Sequence, residues 1–151
     1  LGLVQIRPYI PEDLKALQWV ALGSNVFNAM IPVYPGVDKM PEYLSKAYVK
    51  PTTENFYWVN RIIGALADAH FYENQSNIER YQLSVDRKLY EMIRKFDQEF
   101  QEKEPEDKKA FFEAANQEIS DFIQEKTTEL LDKVLFTSSC LMRNGFSRSD
   151  A

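Results

Sequence analysis

The chain has 151 residues, 44% hydrophobic and 13% aromatic, enough apolar material for a packed core, which argues against a disordered segment. Its formal net charge of −5 comes without the clustered basic face that nucleic acid requires. No apolar run approaches the roughly 20 residues of a membrane span, so neither nucleic acid nor a bilayer is expected as a partner.

In chain order, Leu3–Arg7 alternates apolar and polar residues as a half-buried strand does, closed by Pro8 and Pro11. A second strand is predicted over Leu17–Leu22, ended by the turn signal Gly23-Ser24-Asn25. A third apolar run, Val26–Tyr34, contains Pro32, which belongs at a strand edge, bulge or end because it cannot donate to a ladder. The two runs on either side of the Gly-Ser-Asn turn suggest an antiparallel pair. Tyr34–Asp38 reads as loop, and Glu42–Ala47 as a short helix after Pro41.

Beyond Lys50 the character becomes helical. Pro51–Glu54 offers a helix cap ahead of Phe56, Val59, Ile62, Ile63, Leu66 and Phe71, a stretch apolar on nearly every side and so expected to be buried. From Ser76 to Glu104, Ile78, Tyr81, Val85, Leu89, Met92, Ile93, Phe96 and Phe100 recur at three- and four-residue steps, and Pro105 ends the pattern. Glu106 to about Leu141 repeats it, through Phe111 to Leu135, in a last helix about 50 Å long, with a stop and tail at Arg143–Arg148. The organisation is a strand-rich part, 1–50, and a helical part, 51–151, together one incomplete domain. A lone hairpin is marginal, so the strands read as the edge of a layered α+β sandwich whose remaining strands lie upstream.

Cys140 is the single cysteine, which excludes an internal disulfide and suits a reducing compartment. Leu1 stands where an initiator Met would, and there is no secretory leader pattern; the expectation is a cytoplasmic chain that is part of something longer. The tripeptide Asn74-Gln75-Ser76 is accordingly read as a chance glycosylation match.

Chemistry is sparse on these residues. His70 is the only histidine and has no second histidine to share a metal, so it reads as structural. Cys140, near a helix C-terminus whose partial negative charge disfavours a thiolate, reads as a small packing residue. The acidic run Glu99–Asp107 reads as a solvated helix end. No phosphate loop, zinc knuckle or serine elbow occurs.

Longer phrases say more. Gln5-Ile6-Arg7-Pro8, Trp19-Val20-Ala21-Leu22-Gly23-Ser24, Ile31-Pro32-Val33-Tyr34, Phe56-Tyr57-Trp58-Val59-Asn60-Arg61 and the segment from Leu130 to Ala151 resemble, in order and along essentially the whole chain, the carboxyl-terminal third of bacterial cysteine dipeptidases of the dipeptidase A type. These are N-terminal-nucleophile hydrolases. The resemblance implies the C-terminal part of an αββα sandwich, with antiparallel strands followed by long helices. It also implies dipeptide substrates, no metal or other cofactor, and a cysteine exposed as the first residue of the mature protein, its α-amine serving as base. An α-amine with a reference pKa near 8 can accept the thiol proton at neutral pH.

Leu1 is not that cysteine, so the nucleophile and its helpers are expected upstream, in the remainder of the same polypeptide, and no catalytic residue is carried over to this chain. The candidates for the substrate pocket are Ser24 and Asn25 in the Gly23 turn, and Arg7, whose guanidinium could grip a carboxylate. Each has an alternative, as a turn-former or as the partner of a buried Asp. Trp58 and Arg61 are expected to pack and to form an internal ion pair. The sequence leaves a homo-oligomer open. The competing reading is a non-catalytic helical interaction module that binds a partner through the Ile78–Phe100 and Phe111–Leu135 stripes.

Overall fold

A computed structural model describes residues 1–142; the expected stop and tail at Arg143–Arg148 lie outside them. Three strands, β1 (Gly2–Ile6), β2 (Ala16–Val20) and β3 (Ile31–Val33), form an antiparallel sheet in the order β1-β2-β3. Four helices follow, α1 (Glu42–Ser45), α2 (Phe56–Ala69), α3 (Phe71–Lys103) and α4 (Lys108–Cys140). The class is α+β, and no described helix is long and apolar enough to cross a membrane.

β1 pairs with β2 as Leu3↔Trp19 and Gln5↔Leu17, and β2 pairs with β3 as Trp19↔Pro32 and Val20↔Ile31. Leu17 and Trp19 therefore share one face and are buried, whereas Gln18 between them is exposed. Pro32 sits on an outermost strand, where its missing N–H is tolerated.

The expected strand from Val26 shrinks to Ile31–Val33. Gly23 turns the chain with φ +83°, and the Phe27 amide closes a turn on the Ser24 carbonyl at 3.0 Å. The Gln82 side chain of α3 then donates to the carbonyls of both Val26 and Asn28 at 3.0 Å. With those acceptors taken, residues 23–30 are a loop stapled to a helix.

α2 starts one residue later than the Pro51–Glu54 cap signal suggests. Asn55 caps it, its Oδ1 accepting from the Trp58 amide at 2.9 Å, the usual way an N-cap satisfies an orphan donor. Nor is α2 buried all round: Phe56, Val59, Asn60, Ile63, Gly64 and Ala67 face the core, while Tyr57, Trp58, Ile62 and Leu66 are half-exposed. His70, at φ −140° and ψ 53°, breaks the helix before α3 begins.

α3 and α4 form an antiparallel hairpin. Glu104 adopts a left-handed conformation at φ 41° to end α3, and Asp107 caps α4 through the Ala110 amide at 2.9 Å. Val85, Leu89, Ile119, Ile123 and Val134 are fully buried along the hairpin and its neighbours, each worth about 1.5–3 kcal/mol. Phe100 stacks on Phe112 at 4.9 Å, and Phe112 stacks on Tyr34 at 5.0 Å. The two apolar stripes on which the interaction-module reading relied thus face the chain's own core, except at the end of α4, where Leu135 is 51% exposed.

Candidate functional site

Two places close to the sheet gather polar groups, one buried and one an open cleft. The first is built on Arg7, just past β1, and Asp97 on α3. The Arg7 guanidinium is 6% exposed; Nη1 donates to Asp97 Oδ2 at 2.5 Å, and Nη2 to the Leu14 carbonyl at 2.5 Å. The Tyr34 hydroxyl donates to Asp97 Oδ1 at 2.8 Å. Burial first, and the Asp97 charge second, push the Tyr34 phenol far above its ordinary range. Arg7 is thus paired with a half-buried aspartate rather than left free beside the cleft.

The second place is a cleft of about 580 Å³ between β1, β2 and α3. Leu3, Trp19 and Met30 give it apolar walls, and Gln82, Asp86 and Tyr90 line the α3 side. The Trp19 indole N–H donates to Gln5 Oε1 at 2.9 Å, and its ring lies 5.4 Å from that of Tyr90. Asp86 is exposed at the rim of the cleft and has no ion pair among the described residues; partial desolvation there raises its carboxyl above the usual value. Asn28, 4% exposed, also lines the cleft; its Nδ2 donates to the Leu22 carbonyl at 2.6 Å, while Oδ1 is buried without a partner.

The sequence candidates fall around this cleft rather than in it. Ser24 is half-buried against α2, where Gly64 leaves room for it: a Cβ on Gly64 would lie 2.6 Å from Ser24 Oγ. Asn25 is exposed at the loop tip. The same loop reaches the cleft through Asn28, Ala29 and Met30 instead. Asp86 escaped the sequence reading, although Gln82, Asp86 and Tyr90 recur at four-residue steps and so share a helix face.

The remaining assignments divide. Asn74 is buried, donating through Nδ2 to the His70 carbonyl at 3.1 Å and to Ser138 Oγ at 3.3 Å, so the amide of its tripeptide is not presented at the surface. Cys140 is exposed, not packed as expected. Arg61 is exposed and has no ion pair among the described residues, contrary to expectation; its Cγ would lie 3.5 Å from a Cβ on Gly23. Trp58 is half-buried and donates its indole N–H to the Tyr48 carbonyl at 2.6 Å. Neither His70 nor Cys140 lines the cleft.

What the residues define is an α+β segment with a buried Arg7–Asp97–Tyr34 cluster and an open cleft beside its sheet that carries the exposed Asp86 carboxylate. Residues 1–84, from β1 into α3, match the family model of peptidase family C69, and the chain belongs to that family. Over 149 residues it is 38% identical to a probable dipeptidase A of Streptococcus pyogenes, covering 99% of this chain and 31% of that protein. A dipeptidase of Bifidobacterium longum is 35% identical over 188 residues, covering 99% of this chain and 35% of the relative. Dipeptidase A of Lactobacillus helveticus is 30% identical over 143 residues, covering 93% and 29%. The chain therefore spans about a third of the length of these curated relatives.

Proposed function

We propose that the chain is the carboxyl-terminal portion of a cytoplasmic dipeptidase whose cysteine nucleophile lies upstream, as the first residue of the mature protein. The observation that carries this reading is the end-to-end similarity to dipeptidases roughly three times as long. In this reading β1–β3 belong to one sheet of an αββα sandwich, and α2–α4 form a covering layer. The strand-rich part, 1–50, and the helical part, 51–151, complete one domain only together with the upstream polypeptide. The upstream thiolate attacks the peptide carbonyl, the amine departs, and water hydrolyses the thioester. This chain supplies framework, and Ser24 and Asn25 border the substrate; Arg7 holds the sheet to α3.

The test is dipeptide hydrolysis by the polypeptide extended upstream. Replacing its first mature cysteine by Ser should abolish turnover, and Cys140→Ala should leave kcat/KM nearly unchanged. A full-length protein that cleaves none of a mixed dipeptide panel sinks the reading; so does loss of activity in Cys140→Ala without unfolding.

A further inference from the structure

β1 is apolar yet uncovered. Leu3, Val4 and Ile6 are 55%, 64% and 63% exposed, whereas Ile31 and Val33, on the far side of β2, are at most 4% exposed. Its hydrogen bonding shows which groups are free. The Ala21 amide donates to the Leu1 carbonyl at 2.9 Å and the Arg7 amide to the Lys15 carbonyl at 2.7 Å. In an antiparallel ladder the bonded residues alternate, so Leu1, Leu3, Gln5 and Arg7 point their backbone groups at β2. The N–H and C=O of Gly2, Val4 and Ile6 therefore point away from the sheet. The cleft lined by Leu3, Trp19 and Asp86 opens beside this same strand.

An exposed, apolar edge with a row of outward-pointing backbone groups is a template for another strand. At the other end of the sheet Asn116 of α4 takes both backbone groups of Tyr34, directly after β3. We propose that a strand from the polypeptide preceding Leu1 pairs with the free edge of β1, through the backbone of Gly2, Val4 and Ile6, and packs apolar side chains into the cleft beside α3. The relatives supply the length: this chain accounts for 31% of the Streptococcus pyogenes protein. The inference rests on the reading of the chain as part of a longer peptidase, and it names the edge by which that part is joined.

Amide hydrogen exchange on the upstream-extended protein tests it. Val4 and Ile6 should be protected to the same degree as Leu3 and Gln5, whose amides bond within the sheet, and this protection should not vary with protein concentration. Exchange at Val4 and Ile6 about a hundredfold faster than at Leu3 and Gln5 overturns the proposal. Protection that grows with concentration also overturns it, because the partner is then a second copy. Val4→Pro provides a second measurement: it should lower the thermal midpoint far more than Val4→Thr, and equal midpoints count against the pairing. Dipeptide hydrolysis by the same protein separates the two claims. Activity without protection removes only the edge pairing, and protection without activity removes only the enzymatic reading.

Discussion

β1 and β3 flank the same central strand and are both largely apolar, yet one is exposed along most of its length and the other is buried on every residue. The difference comes from what the chain lays across each. β3 has α4 beside it, with the Asn116 amide acting as a one-residue substitute for a further strand. β1 has a single deep anchor, Arg7, in an ion pair with Asp97. Strand composition predicts that a segment wants cover, but not whether this stretch of polypeptide provides it.

The largest expected effect separates the two sides by pH. The buried tyrosines cluster on the β3 and helical side: Tyr34 follows β3, Tyr43 bonds Thr127 at 2.7 Å, and Tyr81 lies on α3. Burial pushes the Tyr43 phenol up to about 12, and those of Tyr34 and Tyr81 higher still. A phenol raised in the folded state stabilises fully below its unfolded pKa near 10, and that contribution is lost as pH rises through the folded value. The raised phenol of Tyr43 alone is worth about 3 kcal/mol, and the other two add to it. Urea midpoints should therefore fall steeply between pH 10 and 12, with these phenols ionising as the core opens. Their smooth ionisation with no loss of structure would contradict their burial.

Next in size is Asp97→Ala. It leaves the Arg7 guanidinium, 6% exposed, without its counter-charge, at a cost of about 3–5 kcal/mol in equilibrium unfolding. Tyr34 loses its acceptor as well. The double substitution Arg7→Met with Asp97→Leu removes both charges and should recover much of that loss, because desolvation opposes the pair. If the double variant is no more stable than Asp97→Ala, the pair holds β1 in place in a way apolar packing cannot replace.

How much of this was legible in the sequence depends on the range of the interaction concerned. The local signals mark real elements: the run through Trp19, the three- and four-residue stripe from Ile78, the break at Pro105, and the alternation of Leu3–Arg7, which marks a strand although an exposed rather than a half-buried one. Failures begin where a distant residue decides. Val26–Met30 looks like strand until Gln82, more than 50 residues on, takes its carbonyls. Arg7 has two plausible roles until Asp97, 90 residues away, is seen to occupy it. Arg61 and Cys140 carried expectations of pairing and packing, but both side chains reach solvent. The cleft was invisible because its walls come from β1, β2, a loop and α3, and only the four-residue spacing of Gln82, Asp86 and Tyr90 was written in one place.

The smallest effect would turn β3 into a second β1. Asn116 is fully buried; its Oδ1 accepts from the Tyr34 amide at 2.8 Å, and its Nδ2 donates to the Tyr34 carbonyl at 3.0 Å. Asn116→Ala strands two backbone groups beside the core and should cost about 2 kcal/mol. Asn116→Leu restores volume but neither bond, so it should be destabilised to a similar degree, and Asn116→Asp keeps the acceptor while setting a carboxylate against the Tyr34 carbonyl. Near-native stability of the Leu variant would mean that α4 covers β3 by packing alone. Exchange of the Tyr34 amide locates the change: it should quicken in the Ala and Leu variants while the amides of Leu3 and Gln5 keep their rate, because those two are bonded within the sheet and not by α4. If all of them quicken together, the two ends of the sheet open as one unit, and the contrast between them is one of exposure only.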